Sequence, residues 1–423
     1  MLDLNDIVRD TERVRSALLR RGEQDPPIDR IVELDSRRRE LIATNDTDRA
    51  TRNAVSKQIG DEKRKPTPEE IAQMRETNDR IKAAEQELVT IQQQIRDLVL
   101  PLPNLPLTDV PDGLNSESNI IVESHGEETH IAGAQAHWDL ATELGILDME
   151  AGASISGARF YVLKGKGARL SRALSAWMLD THSNEFGYTE IEPPLLVRGE
   201  TMTGSGNLPK FKDNLYRDDE SDLWLVPTAE VALNGLHQGQ IIEPGRLPLK
   251  YVAQTPCFRK EHTAAGRDVR GIKRVHQFEK VEMFRYVEPE ESERHLEEML
   301  TEAKTLCQRL GLAYRVLQLC AGDIGFQSAK TFDIEVWAPG SGEWLEVSSV
   351  STCVEFQARR NNTRYRPAAG EQVRMPHTLN GSGLAIPRIW IAVLENGQQP
   401  DGSVVIPEVL RKYTGFDRIE PQV

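Results

Sequence analysis

The stretch FRKEHTAAGRDVRGIKRVHQFEKVEMF, residues 258–284, combines two β-strand candidates with a loop that is rich in glycine and arginine. Strand candidates on both sides of a glycine-containing loop predict a β-hairpin. The unusual feature of this hairpin is its density of guanidinium groups, set among glutamates. These groups belong to Arg259, Arg267, Arg270 and Arg274.

The side chains of this hairpin can be assigned to faces, because residues two apart in a strand point to the same side of a sheet. Arg259 and Glu261 would project together from the first strand. Phe278 and Glu282 would share a face of the second strand. One face would then offer a guanidinium to a phosphate, a ring to a base and carboxylates to amines or hydroxyls. This predicts an ATP site, with a charged surface hairpin as the alternative that spacing leaves open.

The composition restricts the class of protein. A chain of 423 residues is long enough for two or three domains with cores of their own. The four cysteines form no CxxC pair, and no apolar stretch approaches the roughly 20 residues of a membrane span. The acidic start MLDLNDIVRD is unlike a signal peptide, so the cytoplasm is expected. The net charge of −14 argues that any polyanion meets a local basic patch.

The N-terminal part, residues 1–105, carries the pattern of two long paired helices. Apolar or small residues alternate in steps of three and four at Ile81, Ala84, Leu88, Ile91, Ile95 and Leu98, which is a heptad seam. A similar stripe begins at Ile31, Leu34 and Leu41. Pro66 and Pro68 mark a turn between the two helices. The pattern predicts an antiparallel helical hairpin over about residues 28–98.

The turn of this hairpin is basic. Against Asp61 and Glu62, residues 49–65 hold six basic side chains, Arg49, Arg52, Lys57, Lys63, Arg64 and Lys65. A basic tip on a projecting arm suits contact with nucleic-acid phosphates. A dimerisation or spacer element, or a solvated charged face, is the alternative.

The proline-rich segment 101–113 predicts a linker to a second domain over residues 106–423. An amphipathic helix with Leu170, Leu174 and Trp177 is followed by strand candidates that are separated by loops. Strand pairs joined by loops favour an antiparallel sheet flanked by helices. The predicted fold class is α+β.

Three further positions stand out in this domain. Asn380–Asn396 is a glycine-containing turn that runs into an apolar helix, with Arg388 near its start and Pro387 in its first turn. An arginine buried there would need an anion as a partner, because an unpaired guanidinium is costly to desolvate. Thr228 fits a helix N-cap, with Glu230 in the first turn, which is also ordinary capping chemistry. Glu346, at a half-buried strand position, is the kind of oxygen ligand that Mg²⁺ binds.

These stretches resemble a known family. The hairpin around Arg259 resembles motif 2 of the class II aminoacyl-tRNA synthetases (about 251–287), GSGLAIPR resembles motif 3 (about 380–396), and FGYTEIEPPLL resembles motif 1 (about 170–197). TAE (228–230), GDIGFQSAKTFDIEVW (322–337) and EVSSVSTCVEFQARR (346–360) are similar to seryl-tRNA synthetases of the bacterial type, as is the helical hairpin. The resemblance covers essentially the whole chain.

The resemblance implies that serine is adenylated with ATP and then transferred to tRNA. It implies that Arg259 contacts the α-phosphate and the serine carboxylate, that Arg388 contacts the γ-phosphate, and that both act in catalysis with Glu346. The implied ATP site is Arg259, Lys260, Glu261, Val275, Phe278, Glu346, Val347, Ser348, Ser349 and Arg388, with Mg²⁺ at Glu346 and Ser349. The implied serine site is Thr228, Ala229, Glu230, Arg259, Glu282, Asn380 and Ser382.

The resemblance also implies a homodimer without a membrane partner, an arm that binds tRNA(Ser), with tRNA(Sec) as a further candidate, and no zinc ion. Pro387 departs from the glycine that many relatives place before the motif 3 arginine, which bears on the backbone at Arg388. Two rival functions are a ligase that charges a carrier protein and a catalytically silent paralogue. The arm argues against the first. The presence of Arg259, Arg388, Glu282 and Glu346 argues against the second.

Overall fold

The computed structural model describes residues 1–261 and 270–421, so Arg267 of the hairpin loop lies outside the described residues. The chain divides into two compact units, Met1–Pro103 and Asn104–Val423. The predicted division was placed after residue 105.

The secondary structure is mixed in type. The helices are α1 (Leu4–Arg9), α2 (Thr11–Arg20), α3 (Ile28–Asp61), α4 (Pro68–Val99), α5 (His137–Glu143), α6 (Met149–Ser156), α7 (Gly165–Asn184), α8 (Gly199–Ser205), α9 (Ala229–Gly235), α10 (Ser292–Arg309), α11 (Phe356–Asn361), α12 (Ile386–Gly397) and α13 (Glu408–Thr414). The strands are β1 (Ile120–His125), β2 (Leu147–Asp148), β3 (Val162–Leu163), β4 (Thr189–Glu190), β5 (Leu196–Arg198), β6 (Leu223–Leu225), β7 (Ile241–Ile242), β8 (Leu249–Phe258), β9 (Gln277–Val287), β10 (Tyr314–Gln318), β11 (Lys330–Ala338), β12 (Glu343–Val354), β13 (Arg364–Tyr365), β14 (His377–Ala385), β15 (Val404–Val405) and β16 (Arg418–Ile419).

In the N-terminal unit, α3 and α4 form the predicted antiparallel hairpin. Their apolar seam is buried and includes Ile31, Leu34, Leu41, Ile81, Ile91 and Ile95. Ion pairs cross between the helices, with N–O distances of 2.8 Å for Arg37–Glu87 and 2.7 Å for Arg80–Asp48. Thr67 caps α4 in a reciprocal capping box with Glu70, which satisfies backbone N–H groups at the helix start.

In the second unit, the described residues form an eight-stranded sheet in the order β1-β10-β11-β12-β14-β9-β8-β4. Neighbouring strands are antiparallel except β4 and β8, which are parallel. The predicted α+β fold, with a helical arm and an antiparallel sheet flanked by helices, is therefore confirmed. No helix within residues 1–261 and 270–421 is long and apolar enough to cross a membrane.

Strand β9 shows how the sheet separates the core from a polar surface. Val281 and Met283 belong to the main hydrophobic core, to which α7, α10 and α12 also contribute. Phe278 and Lys280 line a cavity on the opposite face, as the alternation of a strand requires. The regular β8–β9 ladder, which pairs Cys257 with Phe278, fixes the positions of Phe278 and Lys280 on the cavity wall.

Candidate active site

A cavity of about 380 Å³ lies over β9, β12 and β14, next to the starts of α9 and α12. Arginines and carboxylates share its wall with the Phe278 side chain. The predicted site residues that line it are Thr228, Glu230, Arg259, Glu261, Val275, Phe278, Glu346, Val347, Ser349, Asn380, Ser382 and Arg388. The structure thus brings these residues together, and their individual roles stay predictions.

Four predicted site residues do not line this cavity. Ala229 packs in an apolar cluster. The Lys260 ammonium lies 5.6 Å from the centre of the Tyr216 ring. The Ser348 hydroxyl is buried and donates to the backbone carbonyl of Ser382 at 2.6 Å. Glu282 is fully buried and is paired with Lys280.

Arg259 and Glu261 line the same cavity, but the strand that was predicted to carry both of them is wrong. Strand β8 ends at Phe258, and Glu261 has a φ of 46°, a left-handed conformation that interrupts the alternation of a strand. The Arg259 N–H still donates to the His276 carbonyl at 2.9 Å, which carries the pairing one residue further. The Arg259 guanidinium then lies 5.1 Å from the centre of the Phe278 ring. A cationic group and an aromatic ring are therefore adjacent in the cavity, where a nucleotide would need them.

Glu346 and Ser349 face the cavity together because β12 carries a bulge. In a regular strand, residues three apart point to opposite faces. Against β11, however, Ile334 pairs with Ser348 and Glu335 with Glu346, so one extra residue, Val347, is accommodated between them. Glu346 was expected to be half-buried, but its side chain is 46% exposed because it projects into the open cavity.

Arg388 lies in the first turn of α12, as predicted, and it is partly exposed rather than buried. Its guanidinium donates to the Glu346 carbonyl at 2.7 Å and to the Lys273 carbonyl at 3.3 Å. The Glu346 carboxylate lies 3.3 Å from the guanidinium and forms an ion pair with it. Pro387 occupies the start of the helix, where its missing N–H costs nothing.

A buried carboxylate, Glu230, lies at the inner end of the cavity. Gln357 and Gln327 donate to it at 2.6 and 3.1 Å, and Asn380 donates to its other oxygen at 3.3 Å. Burial, reinforced by the nearby Glu282 carboxylate, raises the pKa of Glu230 to about 7. The predicted N-cap is confirmed, since the Thr228 hydroxyl accepts the Glu230 N–H at 3.2 Å. Capping does not require a buried carboxylate, so the burial of Glu230 indicates a role beyond the stability of the helix start.

The pKa of Glu230 predicts a pH-dependent effect on stability. An unfolded glutamate titrates near 4.5, so the folded chain binds this proton more tightly between pH 4.5 and about 7, and folding stability falls as the pH rises through that window. The neutral variant Glu230→Gln does not suffer this loss. Its melting temperature, relative to wild type, should be higher by about 2 °C or more at pH 8 than at pH 4.5. If the difference in melting temperature between Glu230→Gln and wild type is the same at both pH values, the pKa of Glu230 is not raised in the folded chain.

Several lining residues were not predicted from the sequence, namely Lys273, Gly325 and Lys280. Arg274, one of the four arginines of the hairpin, also lines the cavity, although no role was assigned to it. Lys280 could have been found, because it lies between Phe278 and Glu282 on the same face of β9. Gln327 and Gln357 contact Glu230 from elsewhere in the chain. Both lie inside the two stretches that resemble seryl-tRNA synthetases, 322–337 and 346–360, but neither was assigned to the site.

The basic residues of the arm divide into two groups. Arg49 pairs with Glu85 at 2.6 Å, Arg64 pairs with Glu62 and Glu70, and Arg52 donates to Asn78. Within the part of the chain that the structure describes, Lys57, Lys63 and Lys65 are exposed and make no ion pair. These lysines are the side chains of the predicted basic tip that are free to meet a phosphate.

Comparison with known proteins places the chain in a family. A model of the seryl-tRNA synthetase N-terminal domain matches residues 1–106, and one of the tRNA synthetase class II core domain (G, H, P, S and T) matches residues 210–397. The chain is 54% identical to a serine–tRNA ligase from Thermomicrobium roseum, over 98% of this chain and 94% of that protein. The chain belongs to the seryl-tRNA synthetase family.

Further members of this family agree over the full length. A serine–tRNA ligase from Chloroflexus aurantiacus is 49% identical and covers 100% of both chains. The crystal structure of the seryl-tRNA synthetase from Pyrococcus horikoshii complexed with ATP superposes with a TM-score of 0.95 at 38% identity, over 100% of both chains. Both units of the chain are therefore shared with seryl-tRNA synthetases.

Proposed function

We propose that this chain is a serine–tRNA ligase. It converts L-serine and ATP to seryl-adenylate and pyrophosphate, and it then transfers serine to the 3′ end of tRNA(Ser). The observation that carries the proposal is one cavity that has Arg259, Arg388 and Phe278 on its wall and the buried carboxylate Glu230 at its inner end. The names of the full-length relatives support it.

The ATP half of the cavity is arranged around the two arginines. Phe278 offers its ring to adenine, and Glu261 accepts from the adenine amino group. Arg259 meets the α-phosphate, and Arg388 meets the γ-phosphate. A phosphate that replaces the Glu346 contacts of Arg388 would gain a bidentate charged partner, the strongest arrangement for guanidinium.

The residues of this half also fit Mg²⁺. Glu346 and Ser349 both line the cavity and offer hard oxygen ligands, and Mg²⁺ in nucleotide sites is held by a few protein oxygens together with phosphates. When bound, the ion neutralises phosphate charge. Among residues 1–261 and 270–421, no group of three or more His, Cys, Asp or Glu side chains is placed to bind a metal ion, and the expectation of no zinc stays a prediction.

The first reaction requires positioning more than proton transfer. A serine carboxylate oxygen attacks the α-phosphorus, the bond from that phosphorus to the bridging oxygen breaks, and pyrophosphate leaves with the bonding electrons. The carboxylate is already ionised, so no protein base is needed. Arg259 aligns the carboxylate with the α-phosphate and offsets the charge that develops there.

The serine half explains selectivity. The serine ammonium would meet Glu230, and the hydroxyl would meet Glu282 with Asn380 and Ser382 nearby. Alanine would leave a buried polar group unpaired, and sites that bind a substrate hydroxyl reject the analogue without it by about 10⁴-fold. Threonine would be excluded by size and cysteine by weaker hydrogen bonding.

The direct test is serine-dependent ATP–pyrophosphate exchange with Mg²⁺, repeated with alanine, threonine and cysteine. We expect strong exchange with serine and exchange lower by about 10⁴-fold with alanine. Comparable exchange with alanine would instead favour a ligase that charges a carrier protein. No exchange with any amino acid would favour the silent paralogue.

The second reaction extends the proposal to partners. We expect a homodimer whose arm holds tRNA(Ser) so that the 3′ end of the tRNA reaches the adenylate. A charging assay with tRNA(Sec) tests whether this tRNA is a second substrate. The four cysteines are all free and buried, which suits the reducing cytoplasm that we infer as its location.

A further inference from the structure

Helix α5 begins with two aromatic side chains that lie outside the cavity and contact the segment following the arginine-rich loop. The Ile272 N–H donates to Nε2 of His137 at 3.2 Å. The Arg270 guanidinium lies 4.5 Å from the centre of the Trp138 ring, and the Lys273 ammonium lies 5.5 Å from it. The His137–Trp138 pair therefore holds residues 270–273 by one backbone hydrogen bond and two cation–π contacts.

The hydrogen bonds determine the tautomer of His137. Because Nε2 accepts from Ile272, the ring hydrogen is on Nδ1, which donates to a Glu395 oxygen at 3.0 Å. Glu395 also accepts the His137 N–H at 2.8 Å and two bonds from Ser341 at 2.6 and 2.8 Å. Both His137 and Glu395 are fully buried. A ring with one donor and one acceptor, each already paired, has a fixed orientation.

The backbone is built to approach this ring closely. Gly271 has a φ of 66°, a conformation that favours glycine, and a Cβ at this position would lie 2.0 Å from His137 Nε2. Any side chain at residue 271 would displace the imidazole from the Ile272 N–H. The glycine at position 271 therefore allows the Ile272 N–H to reach the His137 ring.

This contact joins two parts of the cavity wall. On one side, the held segment continues into Lys273, Arg274 and Val275, all of which line the cavity. On the other side, Glu395 belongs to α12, the helix that begins with Arg388. The Lys273 carbonyl in turn accepts from Arg388 at 3.3 Å. Movement of the loop end would therefore displace both Arg274 and the partner of Arg388.

We propose that His137 and Trp138 are positioning residues for ATP, which hold the downstream end of the arginine-rich loop against α12 so that Lys273, Arg274 and Arg388 are pre-arranged for the phosphates. Neither side chain lines the cavity. The inference deepens the proposed function and depends on ATP being the substrate of this cavity. Pre-arrangement of this kind lowers the cost of ordering side chains when a ligand binds.

Two substitutions at His137 separate positioning from packing. In His137→Asn, the amide NH₂ replaces the Nδ1 donor to Glu395, but nothing accepts the Ile272 N–H. In His137→Gln, the amide oxygen reaches the Nε2 position and can accept that N–H. We expect His137→Asn to raise KM for ATP in the exchange assay by about tenfold, with a smaller change in kcat, and His137→Gln to restore most of it.

Amide hydrogen exchange measures the Ile272–His137 hydrogen bond directly, without ATP. The Ile272 amide should exchange about tenfold faster in His137→Asn than in wild type, and His137→Gln should restore its protection. This readout stays interpretable if wild type fails to activate serine, which would overturn the proposed function instead. Trp138→Leu keeps an apolar side chain but removes the π face, and it should raise KM for ATP without altering the Ile272 amide.

His377→Asn is the control. This histidine is half-buried at the start of β14 and does not line the cavity, so its variant should keep the wild-type KM for ATP. Equal effects of the two His137 substitutions would mean that the ring only fills space, and the proposal would be wrong. Wild-type KM together with unchanged Ile272 exchange in His137→Asn would also overturn it.

Discussion

Replacing Arg259 with alanine is expected to lower serine-dependent ATP–pyrophosphate exchange by about 10³-fold. The guanidinium lies beside the Phe278 ring, on the wall of the cavity, and in the proposed reaction it contacts both the attacking carboxylate and the phosphate. Its loss removes the group that aligns the two reactants and offsets their charge. The effect should appear in kcat as well as in KM, because the interaction strengthens as the reaction proceeds.

Two further variants make this test specific. Arg259→Lys keeps the charge but loses the planar pair of donors, so it should recover only part of the activity. Arg217→Ala removes an arginine that stacks on Trp224 and is 51% exposed, outside the cavity, and it should be close to wild type. Near-normal exchange in Arg259→Ala would refute the role assigned to this residue.

Deleting residues 28–98, with the ends joined by a flexible linker, should leave serine activation intact and abolish tRNA charging. The arm belongs to the N-terminal unit, Met1–Pro103, whereas all residues that line the cavity belong to the other unit. In the proposal, the arm contributes only contacts to tRNA phosphates, which adenylate formation does not require. The deletion therefore separates the two half-reactions.

A substitution that leaves the arm folded tests the same surface. Changing Lys57, Lys63 and Lys65 together to glutamate should weaken tRNA binding and reduce its salt dependence, because each lost phosphate contact removes about one released counterion from the salt slope. Lys82→Glu, an exposed change on α4 away from the turn, is the matched control. Unchanged charging in both the deletion and the triple variant would exclude the arm from tRNA recognition.

The arm and the strands were predictable because their signals are local. A heptad seam needs only the spacing of Ile81, Ile91 and Ile95, and the turn needs Pro66 and Pro68, all within one stretch of chain. Thr228 as a helix cap likewise depends on the residues that follow it directly. The resemblance to seryl-tRNA synthetases also rested on short contiguous motifs.

The strand assignment failed at Arg259 and Glu261, and the physical reason lies in the backbone. Nothing in the residue types of 259–261 shows that β8 ends at Phe258 or that Glu261 turns left-handed. The bulge at Val347 is similar, because the extra residue is defined only against the partner strand β11. This bulge allows the Glu346 and Ser349 side chains to face the same cavity and so to contact the same ligand.

The helical arm, the hairpin and the set of charged side chains can thus be predicted from the amino-acid sequence, since they depend on neighbours along the chain. Which of these side chains meet depends on how the distant segments pack together. Burial raises the pKa of Glu230 and the nearby Glu282 carboxylate raises it further, while Gln357 and Gln327 donate hydrogen bonds to it, although these residues are far apart in sequence. The burial of Glu230, the bulge at Val347 and the hydrogen bond from Ile272 to His137 all arise from packing between distant segments. The periodicity of residues along one segment carries no information about such packing.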